Sequence, residues 1–127
     1  MEKIYNKLVR DKIPEIITNS GKTCSYEILD NENYAQLLDQ KLFEEMLEYH
    51  QDKSMEELAD IVEVIYAIIK ERGCSFDDFD KLRKAKVDER GAFDRKICFL
   101  EIPSQKPLIK FSFSGIIICK LNNYAFF

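Results

Sequence analysis

The sequence has few of the residues that build transition-metal sites or disulfide frameworks. It contains a single histidine, His50, and four widely separated cysteines that form no CxxC motif. A zinc site or a disulfide framework is therefore not expected. We interpret the cysteines as reduced structural thiols and His50 as a surface residue at a helix end; the cysteines are Cys24, Cys74, Cys98 and Cys119.

The sequence also lacks the features of a membrane or nucleic-acid-binding protein. No apolar run approaches the roughly 18 residues of a membrane span, and the chain does not begin with a signal-peptide pattern. The net charge of −4 disfavours an extended nucleic-acid footprint but is compatible with a basic pocket for a phosphorylated small molecule. We expect a cytoplasmic protein that contacts neither a membrane nor a nucleic-acid polymer.

Acidic residues are absent from the end of the chain. All 23 acids lie within residues 1–101, and none occurs in the remaining 26 residues. We therefore divide the chain into a domain over 1–101 and an atypical apolar tail over 102–127, whose role is unknown. The tail has the pattern of a hairpin that turns at Ser114 and Gly115.

Start and stop signals predict a mostly α-helical fold. Pro14 and Gly21 bound a short first helix, and Asp30 is suited to cap a long helix over 31–51. A second long helix over 55–72 follows, and another ends near Gly91. Two short strands are also predicted, "KTCSYEIL" and "RKICFLEI", which would pair with each other.

Carboxylates interrupt the apolar arcs of both long helices. At about 100° per residue, Glu45 and Glu48 emerge through the arc that contains Leu38, and Glu44 lies at its edge. On the next helix, Glu57 and Asp60 flank the apolar side. A narrow solvent-facing stripe is predicted elsewhere on that helix, at Glu56, Glu63 and Lys70.

Acids on two buried arcs need protons or nearby positive charge to offset their repulsion. Several carboxylates brought together repel one another, so they must protonate, pair with basic residues or bind a metal. Four oxygen donors without histidine or cysteine suit Mg²⁺, with Mn²⁺ as the alternative. The competing interpretation is that Glu57 closes a capping box with Ser54, while Glu45 and Glu48 pair with basic side chains.

At these residues the chain resembles the all-α nucleoside triphosphate pyrophosphatases of the MazG-like type. The family pattern, ExxE on one helix and ExxD on the next, appears as "EMLE" from Glu45 to Glu48 and "ELAD" from Glu57 to Asp60. Two flanking segments, "YNKLVRDKIPEII" and "KAKVDERGAF", resemble a predicted house-cleaning branch. The resemblance covers residues 5 to about 100.

The resemblance implies Mg²⁺-dependent hydrolysis of nucleoside triphosphates between the α and β phosphates. It assigns Glu45, Glu48, Glu57 and Asp60 to the metal, and makes Glu44, Glu45 or Glu48 the residue that takes a proton from water. Positive charges in the flanking segments are predicted to bind the phosphates: Lys7, Arg10, Lys12, Lys86 and Arg90. The alternatives are phosphoribosyl-ATP hydrolysis and a catalytically silent helical interaction module.

Some features depart from the family pattern. Only eight residues separate Glu48 from Glu57, Ala92 stands where a glycine is common, and the tail matches nothing in the family. The helix over 55–72 is apolar on too many sides for one short partner to cover. We therefore predict a homodimer or larger assembly that completes a helical bundle.

Overall fold

The fold is mostly helical. A computed structural model describes residues 3–101 and, as backbone, 109–113 and 116–120. This confirms the predicted helical class at the coarse level. The elements are α1 (Ile13–Asn19), α2 (Asn31–Asp52), α3 (Met55–Glu71), α4 (Phe76–Arg90), β1 (Ile109–Phe113) and β2 (Ile116–Lys120).

Local capping bonds set the ends of the helices. Asp30, Ser54 and Ser75 each accept a hydrogen bond from the backbone N–H three residues later, at 2.8, 3.3 and 3.1 Å. Gly73 follows α3 with φ of +75°, a conformation that side chains with a Cβ rarely adopt. The predicted helix boundaries are therefore confirmed to within a residue or two.

Helices α2 and α3 pack on each other through a short link. Lys53, in the left-handed conformation, and Ser54 separate the two helices. Among the described residues the buried apolar side chains are Leu38, Val64 and Ile69. The helix pair therefore has a small core, and Glu45 is buried on the same helix as Leu38.

Large apolar side chains remain exposed on the outer sides of both helices. Phe43 and Leu47 on α2 are 69% and 63% exposed, and Met55 on α3 is 72% exposed. The predicted solvent stripe at Glu56, Glu63 and Lys70 is exposed as expected. Two helices cover only one side of each other, so large side chains on their outer sides, such as Phe43, stay exposed.

The predicted pair of strands is wrong. Residues 23–29 form no strand, and neither do residues 95–101. Both segments contain β-formers, but β-formers alone do not make a strand, which also needs a neighbouring backbone to complete a ladder of hydrogen bonds. In the tail, β1 and β2 form an antiparallel pair with Phe113 opposite Ile116. The predicted turn at 114–115 lies outside the described residues.

The chain divides into two compact units, 1–88 and 89–127. The first contains α1 to α3 and every acid of the predicted metal site; the second contains the strand pair. The predicted boundary after residue 101 stays a prediction. No helix in the described part of the chain combines the length and apolarity that crossing a bilayer requires. Among the residues whose side chains the structure describes, the cysteines Cys24, Cys74 and Cys98 carry free, exposed thiols.

Candidate metal centre

Three of the four predicted metal ligands converge between α2 and α3. One carboxylate oxygen from each of Glu45, Glu57 and Asp60 lies within 4.8 Å of the others. We call these three residues the acidic cluster. Glu45 is 5% exposed and the other two are half-buried. Adjacent ligand oxygens of one Mg²⁺ lie about 3 Å apart and opposite ones about 4.2 Å, so the three side chains would have to close on an ion to bind it together.

Glu57 is the member of the acidic cluster without a counter-charge. Its Oε2 is buried and has no hydrogen-bond partner among the described residues. Burial raises the pKa of Glu57, and the charges of Glu48 and Asp60 raise it further. An orphaned, destabilised carboxylate of this kind fits a divalent cation, which would supply the missing charge.

Glu48, the fourth predicted ligand, lies close to the cluster without joining it. The side chain is half-buried, and its charge is the main Coulombic contribution to the raised pKa of Glu57. It forms no ion pair with another described residue. The structure thus brings three acids together and leaves the fourth one helical turn after Glu45.

Basic side chains already contact two members of the cluster. Lys41 Nζ lies 2.7 Å from Glu45 Oε1, and Arg10 Nη2 lies 2.5 Å from Asp60 Oδ1. Arg10 was predicted to bind phosphate, whereas Lys41 was not among the predicted site residues. The signal for Lys41 was its position three and four residues before Glu44 and Glu45, which places it on their face of α2.

Glu44 is held by two lysines. Its Oε1 accepts hydrogen bonds from Lys7 Nζ at 2.8 Å and from Lys41 Nζ at 3.1 Å. The bond from Lys7 lowers the pKa of Glu44, and the bond from Lys41 adds to this effect, although burial opposes it. Glu44 is therefore a stable anion, which makes it a weaker proton acceptor than its place among the catalytic candidates implies.

The predicted phosphate ligands separate into two groups. Lys7 and Arg10 reach the acids through the bonds described above. Lys12 stands at the start of α1, and Lys86 is exposed on α4; neither forms an ion pair within the described residues. Arg90, in the second unit, lies 3.9 Å from Glu89. Within the described part of the first unit, Lys7 and Arg10 are therefore the predicted phosphate ligands that contact acids of α2 and α3.

The competing interpretation of the acids receives partial support. Glu57 N–H donates to Ser54 Oγ, but Glu57 Oε2 does not return a bond. Glu45 is paired with a lysine, as that interpretation predicts. His50 is exposed at the end of α2, 3.3 Å from Lys53 Nζ and outside the cluster, as expected.

Comparisons of the chain with protein-family models, with curated proteins and with solved structures gave no match.

Proposed function

We propose that the chain is a Mg²⁺-dependent nucleoside triphosphate pyrophosphohydrolase, similar to MazG-like enzymes of the house-cleaning type. In this proposal the protein hydrolyses a nucleotide between its α and β phosphates and releases a nucleoside monophosphate and pyrophosphate. The observation that carries the proposal is the acidic cluster, together with the orphaned Glu57 Oε2 inside it.

The residues of the cluster fit a hard divalent cation. Glu45, Glu57 and Asp60 would hold it, with Glu48 completing the set from the next turn of α2. When bound, Mg²⁺, or Mn²⁺ in its place, supplies positive charge to phosphate oxygens and makes a bound water more acidic. Glu48, which has no ion pair within the described residues, is the acid available to accept the proton of the attacking water.

The N-terminal segment supplies positive charge beside this site. Lys7 forms an ion pair with Glu44, and Arg10 forms one with Asp60. A triphosphate carries enough negative charge to compete for both side chains, and a guanidinium binds phosphate through two parallel hydrogen bonds. In the proposal, Lys7 and Arg10 turn from their carboxylate partners to the substrate. Lys12, Lys86 and Arg90 remain proposed phosphate ligands on the resemblance alone.

We also propose that the functional form is a homodimer or a larger homo-oligomer. The exposed apolar side chains of α2 and α3, among them Phe43 and Leu47, form outer faces that a single chain leaves in water. Burying apolar area stabilises association by roughly 25 cal/mol per Å². A second helix pair would cover these faces and complete a four-helix bundle.

A catalytically silent interaction module is the second candidate. The observation that favours it is that Glu45 and Asp60 already have basic partners, Lys41 and Arg10. In that case the acids only form ion pairs that stabilise the packing of the N-terminal segment and of α2 against α3. Phosphoribosyl-ATP hydrolysis would use the same acids, and only the choice of substrate separates it from the main proposal.

Pyrophosphate release distinguishes these candidates. The purified chain is incubated with Mg²⁺ and a panel of canonical, oxidised and deaminated nucleoside triphosphates, with phosphoribosyl-ATP as a further substrate. We expect release from at least one nucleoside triphosphate. We expect Glu48→Gln to lower kcat by about 100-fold, the range of a lost general base.

Glu63→Gln is the matched control for this experiment. Glu63 is an exposed glutamate of the solvent stripe on α3, so its replacement should leave kcat unchanged. Hydrolysis of phosphoribosyl-ATP alone would replace the main proposal by the biosynthetic one. No hydrolysis of any substrate, together with no binding of Mn²⁺, would favour the silent module.

A further inference from the structure

Lys41 is more buried than Lys81 and Lys84, the other lysines of the described helices that form ion pairs. Its ammonium bridges two carboxylates, at 2.7 Å from Glu45 Oε1 and 3.1 Å from Glu44 Oε1. The side chain is 17% exposed, and that of Glu45 is 7% exposed. Burial by itself would lower the pKa of Lys41, but the bonds to Glu45 and Glu44 outweigh it and raise the pKa. Lys41 is therefore a fixed positive charge at the edge of the acidic cluster.

The Lys84–Asp80 ion pair on α4 shows how burial changes the strength of such a pair. Lys84 Nζ lies 2.8 Å from Asp80 Oδ2 with the same i, i+4 spacing, but the two side chains are 65% and 44% exposed. An exposed pair of this kind contributes little because water screens both charges. The Lys41–Glu45 pair is shielded from most of that water, so its charges act more strongly on each other and on any neighbouring ion.

We propose that Lys41 is the resident cation of the acidic cluster and opposes the binding of a divalent ion there. This inference rests on the proposed metal site. In the metal-free protein the ammonium neutralises Glu45 and limits the repulsion within the cluster. A divalent ion that binds Glu45 must weaken the Lys41–Glu45 bond and tolerate the remaining positive charge. Lys41 is a positioning residue in this role and touches no substrate atom.

When a divalent ion binds Glu45, the ammonium of Lys41 can shift to Glu44. Glu44 already accepts a hydrogen bond from Lys41 and lies one residue before Glu45. The ammonium can therefore leave Glu45 while it keeps one carboxylate partner, which lowers the cost of the exchange. Glu44 thereby acts as the second carboxylate partner of Lys41.

Titration with Mn²⁺ alone tests the proposal without substrate. Binding is measured by isothermal titration calorimetry for wild type, Lys41→Met, Lys41→Arg and Lys84→Met, after circular dichroism has compared their helix content. Methionine keeps the length of the stem and removes the charge. We expect Lys41→Met to bind Mn²⁺ about tenfold more tightly than wild type. Lys41→Arg and Lys84→Met should both bind like wild type.

Thermal unfolding provides a second measurement. Without metal, Lys41→Met should unfold at a lower temperature than Lys84→Met, and saturating Mn²⁺ should close most of that difference. A purely structural lysine would give the lower temperature without tighter binding, which would overturn the proposal. Equal tightening in Lys41→Arg would overturn it as well, because that variant keeps the charge.

The two proposals fail in different ways. If wild type binds Mn²⁺ and Lys41→Met binds no more tightly, only the role of Lys41 is wrong. If neither protein binds Mn²⁺, the metal site is wrong and the role of Lys41 is overturned with it.

Discussion

Arg10 Nη2 lies 2.5 Å from Asp60 Oδ1, joining two residues that are 50 positions apart in the chain. The contact places a side chain predicted to bind phosphate on a side chain predicted to bind metal. Both partners keep substantial contact with water, at 57% and 37% exposure. An exposed ion pair stabilises a fold by at most about 1 kcal/mol. Arg10 can therefore leave Asp60 for another anion with little loss of folding stability.

Replacing Arg10 by glutamine should therefore affect substrate binding more than folding. We expect Arg10→Gln to raise KM for the nucleotide about tenfold, the loss of a hydrogen bond to a charged group, with little change in Tm. Steady-state kinetics and thermal unfolding measure the two effects. Arg83→Gln is the control, since Arg83 Nε forms an exposed ion pair with Asp80 Oδ1 on α4, at 2.8 Å. An unchanged KM in Arg10→Gln would remove this residue from the site.

Glu57→Gln should stabilise the metal-free protein at neutral pH. An acid whose folded pKa is raised destabilises the fold once it ionises, and burial together with Glu48 and Asp60 raises the pKa of Glu57. The wild-type free energy of unfolding should fall as pH rises from the ordinary glutamate pKa through the raised one. Glutamine carries no charge and should remove this fall.

The same substitution should abolish stabilisation by Mn²⁺, because it removes a carboxylate whose Oε2 has no hydrogen-bond partner among the described residues. Chemical denaturation with and without Mn²⁺ measures both effects. Glu56→Gln is the control, since Glu56 is the exposed neighbour in the first turn of α3. If Glu57→Gln destabilised the metal-free protein, the wild-type Glu57 carboxylate would be stabilising the fold through an interaction that the proposal does not include.

Glu44→Gln should destabilise the protein at neutral pH and not in acid. The lysine bonds lower the pKa of Glu44, so its stabilising effect is present above the ordinary glutamate pKa and is lost as pH falls through the lowered one. We expect a loss of about 1 kcal/mol at pH 7. Urea unfolding at several pH values measures it, with Asp39→Asn at an exposed position of α2 as control. A loss that persists in acid would indicate a packing role instead.

Leu47→Glu should convert the proposed oligomer to monomers. Leu47 is 63% exposed on the outer side of α2, and a carboxylate there would be desolvated in any helix-to-helix interface. Size-exclusion chromatography with light scattering gives the mass. Ile28→Glu is the matched control: Ile28 is 89% exposed but lies outside the helices, so this variant should keep the wild-type mass. A folded wild-type monomer would contradict the oligomer itself.

Local signals in the sequence were sufficient for the helices. Asp30, Ser54 and Ser75 cap their helices through side chains that bond within three residues, so no distant contact is needed. Within the described residues, the strands predicted at 23–29 and 95–101 are absent for the opposite reason. A strand depends on a partner that is distant in the chain, and β-formers alone do not specify one.

The sequence by itself determined which acids share a face. Helical periodicity places Glu45 on the arc of Leu38, and Glu57 and Asp60 on that of Val64, because 3.6 residues make a turn in any α-helix. Only the tertiary structure decided which charges meet. In the described residues the packing of α2 on α3 leaves Glu57 Oε2 without a hydrogen-bond partner, while Lys41 contacts Glu45 and Arg10 contacts Asp60. The Arg10 contact depends on where the N-terminal segment lies in space, and periodicity within one helix carries no information about that.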